Sequence, residues 1–395
     1  MRRPDRRLKG RSFVLDVSAL GLVASLGAAT AFGAESRVRL RELGVRPGIL
    51  PAGRWNAITD VPGVRVGHRT LVEGPSVRTG VTTILPHGEN LFRRKVPAGV
   101  HVGNGFGKAA GFLQVRELGN LETPIVLTNT LSVAAGIDGI VSWTLSRSGN
   151  EEIRSVNAVV GETNDGRLND IRARRVTAKD VIAAIESARE GPMSEGSVGA
   201  GAGTVAFGWK GGIGTASRVL PARLGGWTVG ALVQSNFDGV LTIDGVRVGE
   251  LLGRHSFRDE LSGEKAEPEG GSCMIVLATN APITSRNLER LARRGVLGLA
   301  RTGSFMDNGS GDFVIAFSTV NVEEHSPKSR TRAVEELHND HVSALFLAAV
   351  EAVEEAVGNS LTRATTVVGH QGRRVDAIPL DRLRELLSRR PRPGS

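Results

Sequence analysis

The sequence predicts a layered α/β or α+β fold, with sheets covered by helices, and three observations carry that expectation. Short β-rich apolar runs recur along most of the chain, bounded by turn residues and too brief for helices. A few longer segments show helical apolar spacing instead. Glycine is unusually common, 51 of 395 residues, against an average of about 7%. Those glycines sit inside β-rich stretches and show no G-X-Y period, which excludes collagen and low-complexity disorder and points to tight turns and close backbone approach. With 40% hydrophobic residues, the chain can bury a sizeable core.

In order, the runs at 64–66, 81–85, 99–102 and 124–128 read as strands, 134–147 as a helix and 156–160 as a buried strand. Residues 177–189 read as a helix capped by Thr177, with Val181, Ile182, Ala184 and Ile185 along one side. A Gly-rich passage at 196–214 holds a strand at 204–208, and another strand follows at 227–234. Residues 254–271 are polar, charged and rich in Gly, without periodicity, and so read as an exposed, mobile loop. Beyond it come a strand at 273–279, a helix at 285–299 and a strand at 312–319. Leu288, Leu291, Ala292 and Val296 are spaced for burial in that helix. A long amphipathic helix at 341–357 and a strand at 365–369 complete the pattern, which contains no internal repeat and does not give the strand order.

The formal charge of +9 is concentrated at the ends, in Arg2, Arg3, Arg6, Arg7, Lys9 and Arg11 and in Arg384, Arg389, Arg390 and Arg392. The interior interleaves Arg with Glu, so basicity reads as terminal decoration and solvated faces; no nucleic-acid partner is expected. Cys273 is the single cysteine, which excludes an internal disulfide and a cysteine-based metal site. A basic start precedes a mostly small, apolar run over 13–34 that closes on Ala31-Phe32-Gly33-Ala34, like a secretory signal, although Asp16 interrupts it. The expectation is a leader over 1–40, a single domain over 41–390 and a periplasmic or secreted location, with the cytoplasm as the alternative. No later run of about 18 apolar residues offers a membrane span.

Three segments could carry chemistry. Ser272 lies where the polar loop meets an apolar strand, directly after Gly270-Gly271. Were the preceding bond cut, Ser272 would gain an α-amine, titrating near ~8, that can act as base for its own hydroxyl. Gly271 would tolerate a strained backbone and leave its carbonyl open to attack. On local sequence alone, a serine at such a junction is more often a turn residue. The second segment, Asp307-Asn308-Gly309-Ser310-Gly311-Asp312, sets a hydroxyl between glycines with a carboxylate two residues on. Taken alone, it reads more readily as a polar turn. The third, 161–170, is a loop of acids and amides after a buried strand, including Glu162, Asp165 and Arg167. His338 and His341 lack the H-E-x-x-H arrangement, and the glycines at 199–203 lack a following Lys-Ser/Thr, so neither metal nor nucleotide cofactor is expected.

Taken together, these segments resemble the β-peptidyl aminopeptidase / L-aminopeptidase D-esterase (D-stereospecific aminopeptidase) family of self-processing serine peptidases. The likeness is carried by Asp60-Val61-Pro62-Gly63-Val64-Arg65-Val66-Gly67-His68, by the runs at 100–108, 127–131 and 208–215, and by Gly271-Ser272. Ala278-Thr279-Asn280-Ala281-Pro282 and Asn308-Gly309-Ser310-Gly311-Asp312 complete it, over about 41–387 in total.

The resemblance implies a four-layer αββα sandwich of the N-terminal-nucleophile type, cut by itself between Gly271 and Ser272 into chains 41–271 and 272–395. It implies a homotetramer that releases N-terminal L-, D- or β-residues from small peptides, amides or esters. Ser272 would be the nucleophile, Asn236 an oxyanion donor, and Ser310 with Asp312 the supporting network. Asp165, or else Glu162, would take the substrate ammonium. Where the family has a Tyr after Asp-Gly, this chain has Arg167 and no Tyr anywhere. Arg donates hydrogen bonds but supplies no neutral, transferable proton, so altered specificity or a lower rate is expected. The alternatives are an amidase or acyltransferase acting on a non-peptide amide, and a catalytically silent homologue.

Overall fold

Alternation along the strands decides the architecture. In a computed structural model that describes residues 37–264 and 271–389, odd and even positions of the central strands face two different cores, so these strands are apolar on both sides. In chain order, β1 (Arg65–Glu73) and β2 (Val77–Leu85) form a hairpin, and β3 (Arg94–Gly105) follows with α1 (Phe112–Leu118) and β4 (Asn120–Leu121). Then come β5 (Ile125–Asn129), α2 (Val133–Leu145), β6 (Val159–Thr163) and α3 (Ala178–Glu186). The short β7 (Val205–Ala206) and β8 (Trp209–Lys210) precede β9 (Gly212–Val219) and β10 (Thr228–Asn236). Helices α4 (Val248–Leu251) and α5 (Arg258–Ser262) lead towards β11 (Ser272–Thr279). The chain continues through α6 (Ser285–Arg301), β12 (Gly311–Ser318), β13 (Glu323–Glu324) and α7 (Ser343–Thr362). The hairpin of β14 (Val367–Val368) and β15 (Arg374–Val375) and α8 (Leu380–Ser388) close it.

One sheet has the order β1-β2-β5-β6 and the other β13-β3-β12-β11-β10-β9, with β4 beside β3. Between them lies a core that includes Ile84, Ile125, Leu127, Leu232, Met274, Val276, Phe313 and Ile315. Behind the first sheet, α2 and α3 cover Val81, Val126 and Val160 with Ile140, Val181 and Ile185. Behind the second, α6 and α7 cover Val233, Ile275, Leu277 and Val314 with Leu288, Leu291, Ala349 and Val353. The result is the αββα sandwich. Among the described residues, no helix is long and apolar enough to cross a membrane.

Thr177 does cap α3, with Asp180 closing the capping box. The strand β9 was not foreseen within the Gly-rich passage: a Cβ at Gly214 would lie 1.9 Å from the Ala356 carbonyl of α7. Gly214 therefore marks helix-on-sheet contact rather than a turn. The helices α1 and α8 were likewise not foreseen, and the strand expected at 365–369 shrinks to two residues. The loop expected at 254–271 contains α5, while its residues 265–270 lie outside the described part. Residues 1–36 of the expected leader also lie outside it, but Arg37 and Leu40 are built into the fold. Arg37 donates to the carbonyls of Ile378 and Leu361, and Leu40 is buried.

The segment that follows is fastened to α7 by buried charge. Arg218 bonds Glu351 at 3.0 Å and Glu355 at 2.8 Å, and Glu355 also takes a two-pronged contact from Arg41 at 2.7 and 2.8 Å. Removing one member of such a cluster strands the others without a partner. Glu355→Ala is therefore expected to destabilise the protein by about 3–5 kcal/mol, read as a lowered urea midpoint at unchanged slope.

Candidate active site

Strand register, not nearness in sequence, assembles this site. Ser272 opens β11 and pairs with Asn236, the last residue of β10, on one side and with Gly311, the first of β12, on the other. Asp312 pairs with Asn104 of β3, and a register shift follows before Phe313. Thus Asn104, Asn236, Ser272 and Asp312 gather at one end of the second sheet.

The Ser272 hydroxyl is buried and donates to the carbonyl oxygen of Gly271 at 2.5 Å. The Gly311 N–H donates to the same oxygen at 3.2 Å. Two donors therefore polarise the carbonyl that directly precedes the nucleophile. Gly271 has no room for a side chain: a Cβ there would lie 2.8 Å from the Phe237 Cα. Asn236 accepts the Val205 N–H on its Oδ1 at 2.9 Å. That bond fixes the amide and leaves Nδ2 as the donor on the cleft side.

The turn before β12 is held by its own polar groups. Gly309 N–H donates to Asp307 Oδ1 at 2.8 Å, and Asn104 Nδ2 donates to the carbonyls of Asp307 and Ser310 at 2.9 and 2.5 Å. Ser310 and Asp312 are buried behind Ser272, with no hydrogen bond on the Ser310 hydroxyl or on either Asp312 oxygen among the described residues. Burial raises the Asp312 carboxyl to about 6; the nearby Ser310 hydroxyl opposes the shift and Asp307 adds to it.

A folded-state pKa above the unfolded one means that the stabilising contribution is complete below the unfolded value of 3.8 and disappears as pH rises through about 6. Asp312→Asn should therefore raise Tm at pH 8, by the equivalent of up to roughly 3 kcal/mol, and leave Tm at pH 4 nearly unchanged. If the ionised carboxylate serves turnover, wild-type activity falls as pH drops through about 6 and the variant lacks that limb. Melting curves and pH–rate profiles at both pH values check this.

The polar loop after β6 sorts its acids differently from expectation. Asp165 is fully buried and away from the cleft, where Asn169 Nδ2 donates to it at 3.0 Å. Burial raises its carboxyl to about 7, against opposing hydrogen bonds from Thr79, Asn169 and Asn129. It lies within electrostatic reach of Lys210, whose buried ammonium donates to the carbonyls of Gly201 and Gly211. Asp165 is thus an internal support, and its expected contact with substrate is corrected.

Of the acids in this loop, Glu162 is the one that lines the cleft. It accepts the Lys108 backbone N–H at 2.9 Å and the Thr130 hydroxyl. The cleft, about 460 Å³, is lined by Glu162, Arg167, Asn236, Gly271 and Ser272 among others. Lys108 and Thr130 lay inside the motif runs without being singled out. Arg373 also borders the cleft, and nothing in its local sequence marked it.

The model of peptidase family S58 matches residues 56–375. The chain is 39% identical over 385 residues to the β-peptidyl aminopeptidase BapA of Sphingosinicella microcystinivorans, covering 92% of this chain and 94% of that one. A β-aminopeptidase from Burkholderia sp. superposes with a TM-score of 0.82 at 43% identity, over 90% of this chain and 100% of the other. The L-aminopeptidase D-Ala-esterase/amidase of Ochrobactrum anthropi, described as a prototype of the serine aminopeptidases and a variant of the Ntn hydrolase fold, gives 0.81 at 38% identity, over 89% and 98%. With a family match over most of its length and relatives near 40% identity along nearly all of it, the chain belongs to peptidase family S58.

Proposed function

We propose that this protein is a serine aminopeptidase that first cuts its own chain between Gly271 and Ser272. The observation that carries this reading is the Ser272 hydroxyl bonded to the Gly271 carbonyl, which Gly311 polarises from the other side. In the cut, Ser272 Oγ attacks the Gly271 carbonyl carbon, the C–N bond breaks, and the hydroxyl proton ends on the departing nitrogen. Water then hydrolyses the resulting ester, leaving a Gly271 carboxylate and a Ser272 with free hydroxyl and free α-amine.

In the two-chain enzyme (41–271 and 272–395) that amine serves as base for the adjacent hydroxyl. Asn236 Nδ2 meets the oxyanion, Ser310 and Asp312 hold the new N-terminus, and Glu162 receives the substrate's ammonium. Substrates are short peptides, amides or esters with a free amino end, including the β-residues named for BapA and the D-alanyl amides and esters named for the Ochrobactrum enzyme. A homotetramer and export directed by the leader-like first residues belong to the same reading.

The test is the intact mass of the purified protein together with release of p-nitroaniline from β-alanine, L-alanine and D-alanine p-nitroanilides. Two chains, the smaller beginning at Ser272, with turnover of at least one substrate support the proposal. One uncut, inactive chain would leave the silent-homologue reading.

Arg167 favours a variation within the class. A fixed cation stands on the cleft wall where relatives are expected to carry a phenol. If the phenol's role is unfilled, Arg167→Tyr should raise kcat on the p-nitroanilides several-fold; an unchanged or lower kcat would mean that Arg167 does not occupy that role.

A further inference from the structure

Charged groups of both signs border the cleft, Glu162 and Asp238 among the acids and Lys108, Arg167 and Arg373 among the bases. At one end Glu162 is locked by Lys108 and Thr130. At the other, Arg167, Gly208 and Asp238 border both this cleft and a second one of about 420 Å³, whose wall carries Arg254, Arg258 and Arg374 beside Asp259, Glu260 and Asp376. The hairpin of β14 and β15 brings Arg373 to that end. It is fastened to both walls: His370 N–H donates to the Leu168 carbonyl at 2.7 Å, and Lys210 N–H to the Asp376 carbonyl at 2.9 Å. Its position beside the nucleophile's cleft is therefore set by backbone bonds rather than by a flexible loop.

The cations at this end are not equivalent. Arg374 is held by Asp376 at 2.8 Å. Arg254 donates to the Gly208 carbonyl at 2.9 Å and lies over Trp209. Arg373 is exposed, and its guanidinium has neither hydrogen bond nor ion pair among the described residues. A guanidinium fixed at its base and open at its tip suits a carboxylate, which it can bind with two parallel hydrogen bonds.

We propose that Arg373 anchors the C-terminal carboxylate of the leaving residue, so that the enzyme selects short zwitterionic peptides, above all dipeptides, over amides and esters of the same N-terminal residue. The inference rests on the aminopeptidase reading, with the substrate's ammonium at Glu162 and its scissile carbonyl at Ser272. A free dipeptide then meets opposite charge at both ends, whereas its amide loses the attraction at one. Because a guanidinium stays protonated throughout the working range, the preference persists across pH and weakens with added salt.

The experiment compares kcat/KM of wild type, Arg373→Gln and Arg373→Lys on β-alanyl-alanine and on its C-terminal amide, at low and high salt. Wild type is expected to prefer the free acid about 10-fold, mainly through KM, since a rim contact of this kind is worth about one factor of ten. Arg373→Gln should bring the acid-to-amide ratio close to one, and Arg373→Lys should hold an intermediate value. The ratio is internal to each protein, so partial loss of folded enzyme does not disturb it. A wild-type ratio near one, or a ratio that Arg373→Gln leaves intact, overturns the assignment while the aminopeptidase reading stands. If wild type hydrolyses neither compound but turns over a p-nitroanilide, the assignment alone falls; if it turns over none of them, both fall.

Discussion

Ser272→Ala protein is expected to run as a single uncut chain and to lose p-nitroanilide turnover by roughly 10⁶-fold, the scale on which removal of a serine nucleophile acts in other hydrolases. One substitution removes two functions because the same oxygen serves both. In the uncut chain it sits against the Gly271 carbonyl, with the Gly311 N–H on the far side of that oxygen. Alanine leaves the polarised carbonyl with no attacking group. Without the cut, residue 272 keeps an amide nitrogen, and no α-amine forms to act as base. The fold should survive, since Ser272 contributes only a local bond to the preceding carbonyl and its backbone pairing with Asn236 and Gly311 is untouched. Intact mass, melting temperature and turnover together decide the matter. A Ser272→Ala chain that still splits at this bond would remove Ser272 from the processing role. Ser272→Cys gives a second readout: a thiol at this position should restore part of the cutting and make turnover sensitive to alkylating reagents.

Much of the fold was legible because the strands announce themselves in composition. The run at 273–278 is apolar at every position, as a strand covered on both faces must be, and it proved to be the centre of the second sheet. β9 escaped for the opposite reason. Gly212 and Gly214 leave it few side chains by which to be recognised, because the backbone at Gly196 and helix α7 approach too closely to admit any.

The site divided in a similar way. Ser272, Asn236 and the 307–312 turn were found through motif resemblance, and the register places them together. Asp165 was preferred to Glu162 for the substrate's ammonium, and nothing in the sequence, where both are acids in one polar loop, argued for the reverse order. What separates them is depth. Glu162 ends on the cleft wall between Lys108 and Thr130, while Asp165 turns inward to Asn169. Arg373 was invisible because it reaches the cleft on a hairpin bonded to Leu168, some two hundred residues earlier in the chain.

The second large effect is expected at Asn236. Its Oδ1 is committed to the Val205 N–H, so the amide has one orientation and Nδ2 is the only side-chain donor that it can offer the oxyanion. Asn236→Ala should lower kcat by about 10²–10³-fold with little change in KM, because the lost bond strengthens only as charge develops on the carbonyl oxygen. Asn236→Asp separates this role from a merely structural one. Aspartate keeps an acceptor for Val205 and so preserves the loop, but it faces the oxyanion with a second negative charge instead of a donor. If Asn236 serves the oxyanion, Asn236→Asp falls at least as far in kcat as Asn236→Ala while melting near the wild-type temperature. If it serves only to hold the 201–211 backbone, Asn236→Asp retains most of its turnover and Asn236→Ala loses stability and activity together. Self-cleavage adds an independent measure, since the Gly271 carbonyl is already polarised by Gly311. Cutting of the Asn236→Ala chain should therefore slow less than its turnover of p-nitroanilides, and the two rates, measured on one preparation, show whether the bond to be processed and the substrate's bond rely on the same donor.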